Sequence, residues 1–226
     1  MRFVHLLVLC LALLLVFSLC HAQDVTESGP LKVGIATVDI TPEGPVWMAG
    51  FAARDKVSEG VYKPIIAQCL VFDNSQTRLA VFTMDLCKIY QRELQAFQDA
   101  AAEVGIPPQH VLVNWSHTHC GPHLSREESA EYREVFAERT RPLVRQAVDN
   151  LEPAVLDYTV GSCTMAVNRR QLDENHKCVG MRPDPRRQID PDVPVLRVLS
   201  PEGTVRAVIF GYACHPTTMG GYEIGT

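Results

Sequence analysis

Apolar and polar positions along the chain alternate with periods that name its elements. Residues 31–40, LKVGIATVDI, read as a strand that stops at the turn cluster Thr41-Pro42-Glu43-Gly44. IIAQCLVFD (65–73) and RLAVFTMD (78–85) are separated by NSQT and predict a hairpin of two half-buried strands. In QRELQAFQDAAAEVG (91–105), Leu94, Phe97, Ala101 and Val104 share one helical stripe, and Gly105 is placed to end the helix. HVLVNWS (110–116) predicts a buried strand. A second helix is expected from Ser125, where Ser125 and Glu128 match a capping box, to near Asn150, with a break at Pro142.

Residues 154–161, 193–200 and 204–213 predict three more strands, the last two joined by Pro201-Glu202-Gly203. Between them, residues 168–192 are polar and proline-rich and read as a long surface or active-site loop. Strands interleaved with helices give an α/β, mixed α+β fold in which mixed β-sheets are flanked by helices.

The ends change this picture. Arg2, the apolar run LLVLCLALLLVFSL and the small residues around Cys20 and Ala22 match a signal peptide cleaved after Ala22, so 1–22 are expected to leave before folding. Residues 23–31 read as a flexible lead-in, and the folded body begins near residue 32. The expected location is therefore secreted or periplasmic. Eight cysteines become six on cleavage, an even number that permits disulfides in an exported protein. No Cys-x-x-Cys pair is present, which argues against a structural zinc ribbon. A net charge of −5 supplies no basic face for nucleic acid and no attraction to anionic lipid. The oligomeric state is not legible.

Candidate chemistry is concentrated in NWSHTHCGPH (114–123), which holds three of the eight histidines. In an extended chain His117 and His119 point to one side, and Gly121-Pro122 turns the chain immediately afterwards. TVRAVIFGYACHPTTM (204–219) repeats the design, an apolar strand running toward His215. Two strands that each end in a histidine could lie side by side. Two or three neutral imidazoles with a carboxylate form the ligand set of a catalytic zinc, which leaves one position for an activated water.

Other residues have plainer readings. His123, beyond the turn, reads as a hydrogen-bonded surface histidine, and Asp85 as a cap rather than a ligand. Arg169 or Arg170, after the strand-like CTMAV, could take an anionic or carbonyl oxygen. Cys120 and Cys214 could bridge, ligate or pack. Asn114-Trp115-Ser116 matches a glycosylation acceptor that strand burial would hide.

GIATVDITP (34–42), MAGF (48–51), SHTHCGP (116–122), NR (168–169) and ACHPTTM (213–219) occur in an order that resembles the catalytic domain of neutral/alkaline, non-lysosomal ceramidases. The resemblance runs from about residue 32 to the chain end. It implies an exported, zinc-dependent amidohydrolase that cleaves ceramide to sphingosine and a fatty acid. It further implies that His117 and His215 ligate zinc, that His119 lines the site to move protons or hold substrate, and that Arg169 meets the polar head of a ceramide-like lipid at a membrane surface.

Cys120 stands where that family has serine. The family's remaining ligands, a glutamate and a tyrosine, and its GDVSPN element have no counterpart before Thr226, so the resemblance implies a partial catalytic domain. Glu223 and Asp85 are the carboxylates placed to substitute. Two other readings stay open: a non-catalytic exported binding module, and a zinc hydrolase of another ester, lactone or amide.

Overall fold

The computed structural model describes residues 29–218 and 220–225. The expected signal peptide at 1–22 and most of the lead-in lie outside the described residues. No helix among the described residues is long and apolar enough to cross a membrane.

Among the described residues, twelve strands and three α-helices follow in chain order: β1 Lys32–Asp39, β2 Gly60–Val61, β3 Ile66–Asp73, β4 Arg78–Met84, α1 Gln91–Ala102, β5 Val111–Trp115, α2 Ala130–Thr140, α3 Leu143–Asp149, β6 Glu152–Pro153, β7 Val155–Ser162, β8 Arg170–Leu172, β9 Cys178–Met181, β10 Asp192–Leu199, β11 Val205–Phe210 and β12 Glu223–Ile224. A five-stranded sheet has the order β5-β4-β3-β1-β6, and a three-stranded sheet the order β11-β10-β7. The fold is the expected mixture of sheets with flanking helices.

In the larger sheet β1, β3 and β4 pair antiparallel, and β4 and β5 pair parallel with Met84 opposite Trp115. A parallel pair needs a crossover, and α1 supplies it. Residues 36 and 38, 67, 69 and 71, 80, 82 and 84, and 111, 113 and 115 face the helices. Val33, Ile35, Leu70 and Phe72 face the other way and meet Val198, Ala207 and Ile209 of the smaller sheet. The Phe82 and Phe97 rings stack at 4.5 Å, and Phe136 meets Phe97 edge-on at 6.3 Å, joining the sheet to both helices. The Tyr132 hydroxyl donates to the Ile40 carbonyl at 2.6 Å where β1 leaves the sheet.

Three expectations change. β5 is the outer strand of its sheet, so only its odd-numbered residues are covered; Leu112 is 56% exposed and Asn114 is exposed, so burial does not hide the acceptor pattern. Ser125 does not open the second helix. Its N–H is taken by His123 Nδ1, a 3-10 turn follows at Glu127–Ser129, and α2 begins at Ala130. Residues 168–192 are not one loop, because β8 and β9 pair antiparallel within them. The break at Pro142 and the end of α1 are as expected: Gly105 takes φ +78° and Ile106 N–H returns to the Ala101 carbonyl.

Gly34 of β1 is where α3 crosses closest. A Cβ there would stand 1.8 Å from the Ala147 carbonyl oxygen, a backbone atom that cannot turn aside. Gly34→Ala is expected to force α3 off the sheet and lower unfolding stability by about 1–3 kcal/mol, read from a urea denaturation curve.

Candidate metal centre

The site begins at the ends of two parallel strands. Ser116 N–H donates to the Met84 carbonyl at 3.0 Å, which continues the β4–β5 ladder by one step before the chains part. Cys87 then lies three residues past β4 and His117 two past β5. His117 adopts φ +58°, a left-handed conformation uncommon for a side-chain-bearing residue and frequent at functional sites. The segment is therefore not extended, yet the two histidines still converge, their ring centroids 5.1 Å apart.

His215 joins them from the other sheet. Its ring lies 4.9 Å from that of His117 and 4.7 Å from that of His119. β5 and β11 are not neighbours in one sheet. His215 arrives on the loop after β11, and the packing of the two sheets brings that loop over. Arg169, on the loop after β7, contacts His215 Nδ1. That loop is not the continuing strand that CTMAV suggests, since β7 ends at Ser162. The Tyr212 hydroxyl fixes it, accepting from Ala166 N–H and donating to the Cys163 carbonyl, both at 3.0 Å.

Hydrogen-bond complementarity assigns the ring protons. His117 Nδ1 lies 2.7 Å from the Cys87 carbonyl, which only accepts, so Nδ1 carries the proton and Nε2 keeps a lone pair. This orientation by a backbone carbonyl is the one metal-binding histidines use. Arg169 only donates, so His215 Nδ1 accepts and Nε2–H donates to His119 Nε2 at 2.8 Å. The His119 proton then sits on Nδ1, which is buried without a hydrogen-bond partner.

Burial lowers the pKa of His119 to about 4, helped by the imidazoles of His215 and His117 and by Arg54 and Arg169. Burial also lowers that of His215, with Arg169 and His117 adding to it. Both rings are thus held neutral, the form that ligates. Burial raises the Cys87 thiol, against the pull of Arg54 and Lys88. Ligand atoms of Cys87, His117 and His119 lie within 4.8 Å of one another, a cluster able to hold a metal ion. Neither Asp85 nor Glu223 belongs to it. Asp85 Oδ2 instead accepts from Ile66 N–H at the start of β3, and Glu223 pairs along β12 with β2.

A brace that the sequence did not reveal holds His119. Arg54 Nη1 donates to the carbonyls of Ala49 and His119, each at 2.6 Å, and Nη2 donates to that of Gly221 at 2.8 Å. The MAGF segment runs beside the histidines: Ala49 N–H donates to the Gly121 carbonyl, and Phe51 meets the His119 ring edge-on at 4.7 Å. Gly50, at φ +102°, lies where a Cβ would stand 2.3 Å from His119 Cγ. A lone arginine in a polar loop carries no pattern that marks it. Cys87 was visible only as a cysteine beyond a strand end. Cys120 packs with its sulfur 3.5 Å from Arg54, Cys214 is exposed, and all six described cysteines are unpaired. His123 is hydrogen-bonded as expected, to Ser125, but half-buried rather than on the surface.

No protein-family model and no curated protein sequence matches the chain. Solved structures do. A ceramidase complexed with C2 superposes with a TM-score of 0.70 at 23% identity, over 86% of this chain and 33% of that one. The neutral ceramidase from Pseudomonas aeruginosa gives 0.70 at 20% identity, over 88% and 34%. The chain therefore shares the ceramidase fold over most of its length and spans about a third of these structures.

Two measurements follow from the geometry. Arg54→Ala strips a charged donor from three carbonyls and is expected to cost about 1.5–3 kcal/mol in urea unfolding, with Arg54→Lys restoring only part because it lacks the fork. Because the folded state refuses protons that the unfolded chain takes up from its ordinary value of 6.5, the metal-free protein should lose stability as pH falls from 6.5 towards about 4. In His119→Asn that slope should flatten in a pH series of thermal melts.

Proposed function

We propose that this chain is the front portion of an exported zinc hydrolase that cleaves the N-acyl amide of a ceramide-like lipid. The observation that carries the reading is the convergence of His117, His119, His215 and Arg169 from three separate loops within a ceramidase-type fold. The donor set suits zinc: neutral imidazoles, one of them oriented by a backbone carbonyl, with room for further ligands. His117 would offer Nε2 and His215 its Nε2. When bound, zinc supplies Lewis acidity to a substrate carbonyl and to an attacking water.

The residues divide the remaining work. His215 can ligate through Nε2 only with its proton on Nδ1, where it cannot sit against a guanidinium. Arg169 must then leave His215, and is free to donate to the hydroxyls or carbonyl of the lipid head. His119 loses the His215 donor at the same time. Its Nε2, held neutral, would be free to take a proton from the attacking water and return it to the departing amine, since the amide nitrogen leaves only when protonated. Residues 1–22 support export to where such a lipid is met in a membrane.

The test is hydrolysis of a short-chain ceramide by the purified chain, stripped with a chelator and restored with zinc. Zinc-dependent turnover that disappears in His117→Ala and falls about 10²–10⁴-fold in His119→Ala is expected. Ceramide binding without turnover would instead favour a binding module. Turnover of short acyl amides or lactones but not of ceramide would reassign the substrate.

A further inference from the structure

Arg169 and His215 meet although they stand on different loops, one after β7 and one after β11. The first loop has little to hold it in place. Cys163 N–H donates to the Pro191 carbonyl at 2.8 Å, one step past the β7–β10 pairing. The apolar side chains that follow do not anchor the chain, since Met165 is 77% and Val167 40% exposed. Asn168 turns back onto its own segment, its Oδ1 accepting from Arg170 N–H and its Nδ2 donating to the Gln188 carbonyl, both at 3.0 Å. Among the described residues, the backbone of residues 164–167 makes one hydrogen bond, from Ala166 N–H to the Tyr212 hydroxyl.

Tyr212 serves both loops. Its hydroxyl pins the first through Ala166 N–H and the Cys163 carbonyl. Its own carbonyl accepts from Cys214 N–H at 2.8 Å, in the turn that presents His215. Among the described residues, the two hydroxyl bonds and the Arg169–His215 contact are the only hydrogen bonds between residues 163–191 and the loop after β11.

We propose that Tyr212 is the positioning residue for recognition of the substrate's polar head: its hydroxyl sets Arg169 against His215, and it acts on the ligand only through that arginine. This deepens the lipid reading above and rests on it. A phenolic hydroxyl donates and accepts at once, so a single atom closes the stretch from Cys163 to Ala166. Ala166 and Cys163 are half-buried, so water can replace the hydroxyl at both backbone groups. Losing the hydroxyl therefore frees the loop without unfolding the sheet that carries it.

Tyr212→Phe removes only that hydroxyl, and titration of short-chain ceramide into the metal-free chain reads the consequence. A hydrogen bond from a charged donor is worth about 10- to 100-fold in affinity, which is the loss expected for Arg169→Ala. Tyr212→Phe should lose about fivefold or more, and the double variant no more than Arg169→Ala alone, because the tyrosine has nothing left to position. With zinc restored, the Tyr212→Phe loss should appear in KM, with kcat nearly unchanged. A ligand-free readout accompanies these: in the ¹⁵N-histidine-labelled, metal-free chain, the His215 Nδ1 resonance of Tyr212→Phe should move towards its place in Arg169→Ala, while the His117 resonances stay. Coincident thermal melts show that the variants are folded. Wild-type affinity in Tyr212→Phe with an unmoved His215 resonance overturns the proposal. So does a further loss of affinity when Tyr212→Phe is added to Arg169→Ala, since the tyrosine would then act on its own. Failure of the wild-type chain to bind the lipid refutes the lipid reading, and the His215 resonance then decides whether Tyr212 sets Arg169.

Discussion

The parallel pairing of β4 with β5 is the constraint on which the site depends. Two strands running the same way finish at the same edge, and the register that sets Met84 opposite Trp115 places the next few residues of both chains side by side. Cys87 and His117 meet there because of that register, though thirty positions separate them. The crossover through α1 is tolerable only if the helix buries a full stripe. Phe97, Ala100 and Ala101 do this against Phe82 and its neighbours. Open α/β sheets place ligands outside the carboxyl ends of such strands, and this edge follows that rule.

The second half of the site has a different dependence. His215 and Arg169 stand on loops of the smaller sheet, so their position is set by how the two sheets pack. Val198 of β10 is fully buried against Val33 and Leu70, and Arg206 donates to the Val33 carbonyl at 3.0 Å while pairing with Glu152. These contacts fix the angle at which the β11 loop arrives. Arg54 ties the third party, the segment around His119, to the Ala49 and Gly221 backbones on either side. A guanidinium spanning three carbonyls from distant parts of the chain holds a loop that lacks regular structure.

Much of this was legible in the sequence where local pattern and global fold agree. The hairpin at NSQT, the stripe of α1 with its Gly105 stop, and the break at Pro142 follow from periodicity and from backbone chemistry that no tertiary context overrides. The three histidines were found because two apolar strands led to them. What failed was what depends on neighbours. HVLV looks like a strand buried on both faces, but Leu112 lies on the open side of an outer strand. Ser125 and Glu128 have the spacing of a capping box, yet His123 Nδ1 takes the Ser125 N–H first. Residues 168–192 lack apolar alternation because β8 and β9 pair at the surface, where nothing selects for it. Arg54 acts through carbonyl acceptors, which leave no trace in a sequence.

The hydrogen bonds that link Arg169, His215 and His119 leave neither ring nitrogen of His215 free. Arg169 occupies the nitrogen that must carry the His215 proton before the opposite nitrogen can bind an ion, and His215 in turn caps the basic nitrogen of His119. The arrangement leaves one buried N–H unpaired on His119, a cost of about 1–3 kcal/mol within the resting state. Depressed basicity keeps the His119 and His215 rings from taking up protons near neutral pH. What the neutral rings keep available to a metal ion is their lone pairs. In the function proposed above, the rearrangement that would admit an ion would also free the Arg169 guanidinium for substrate and a His119 nitrogen for proton transfer.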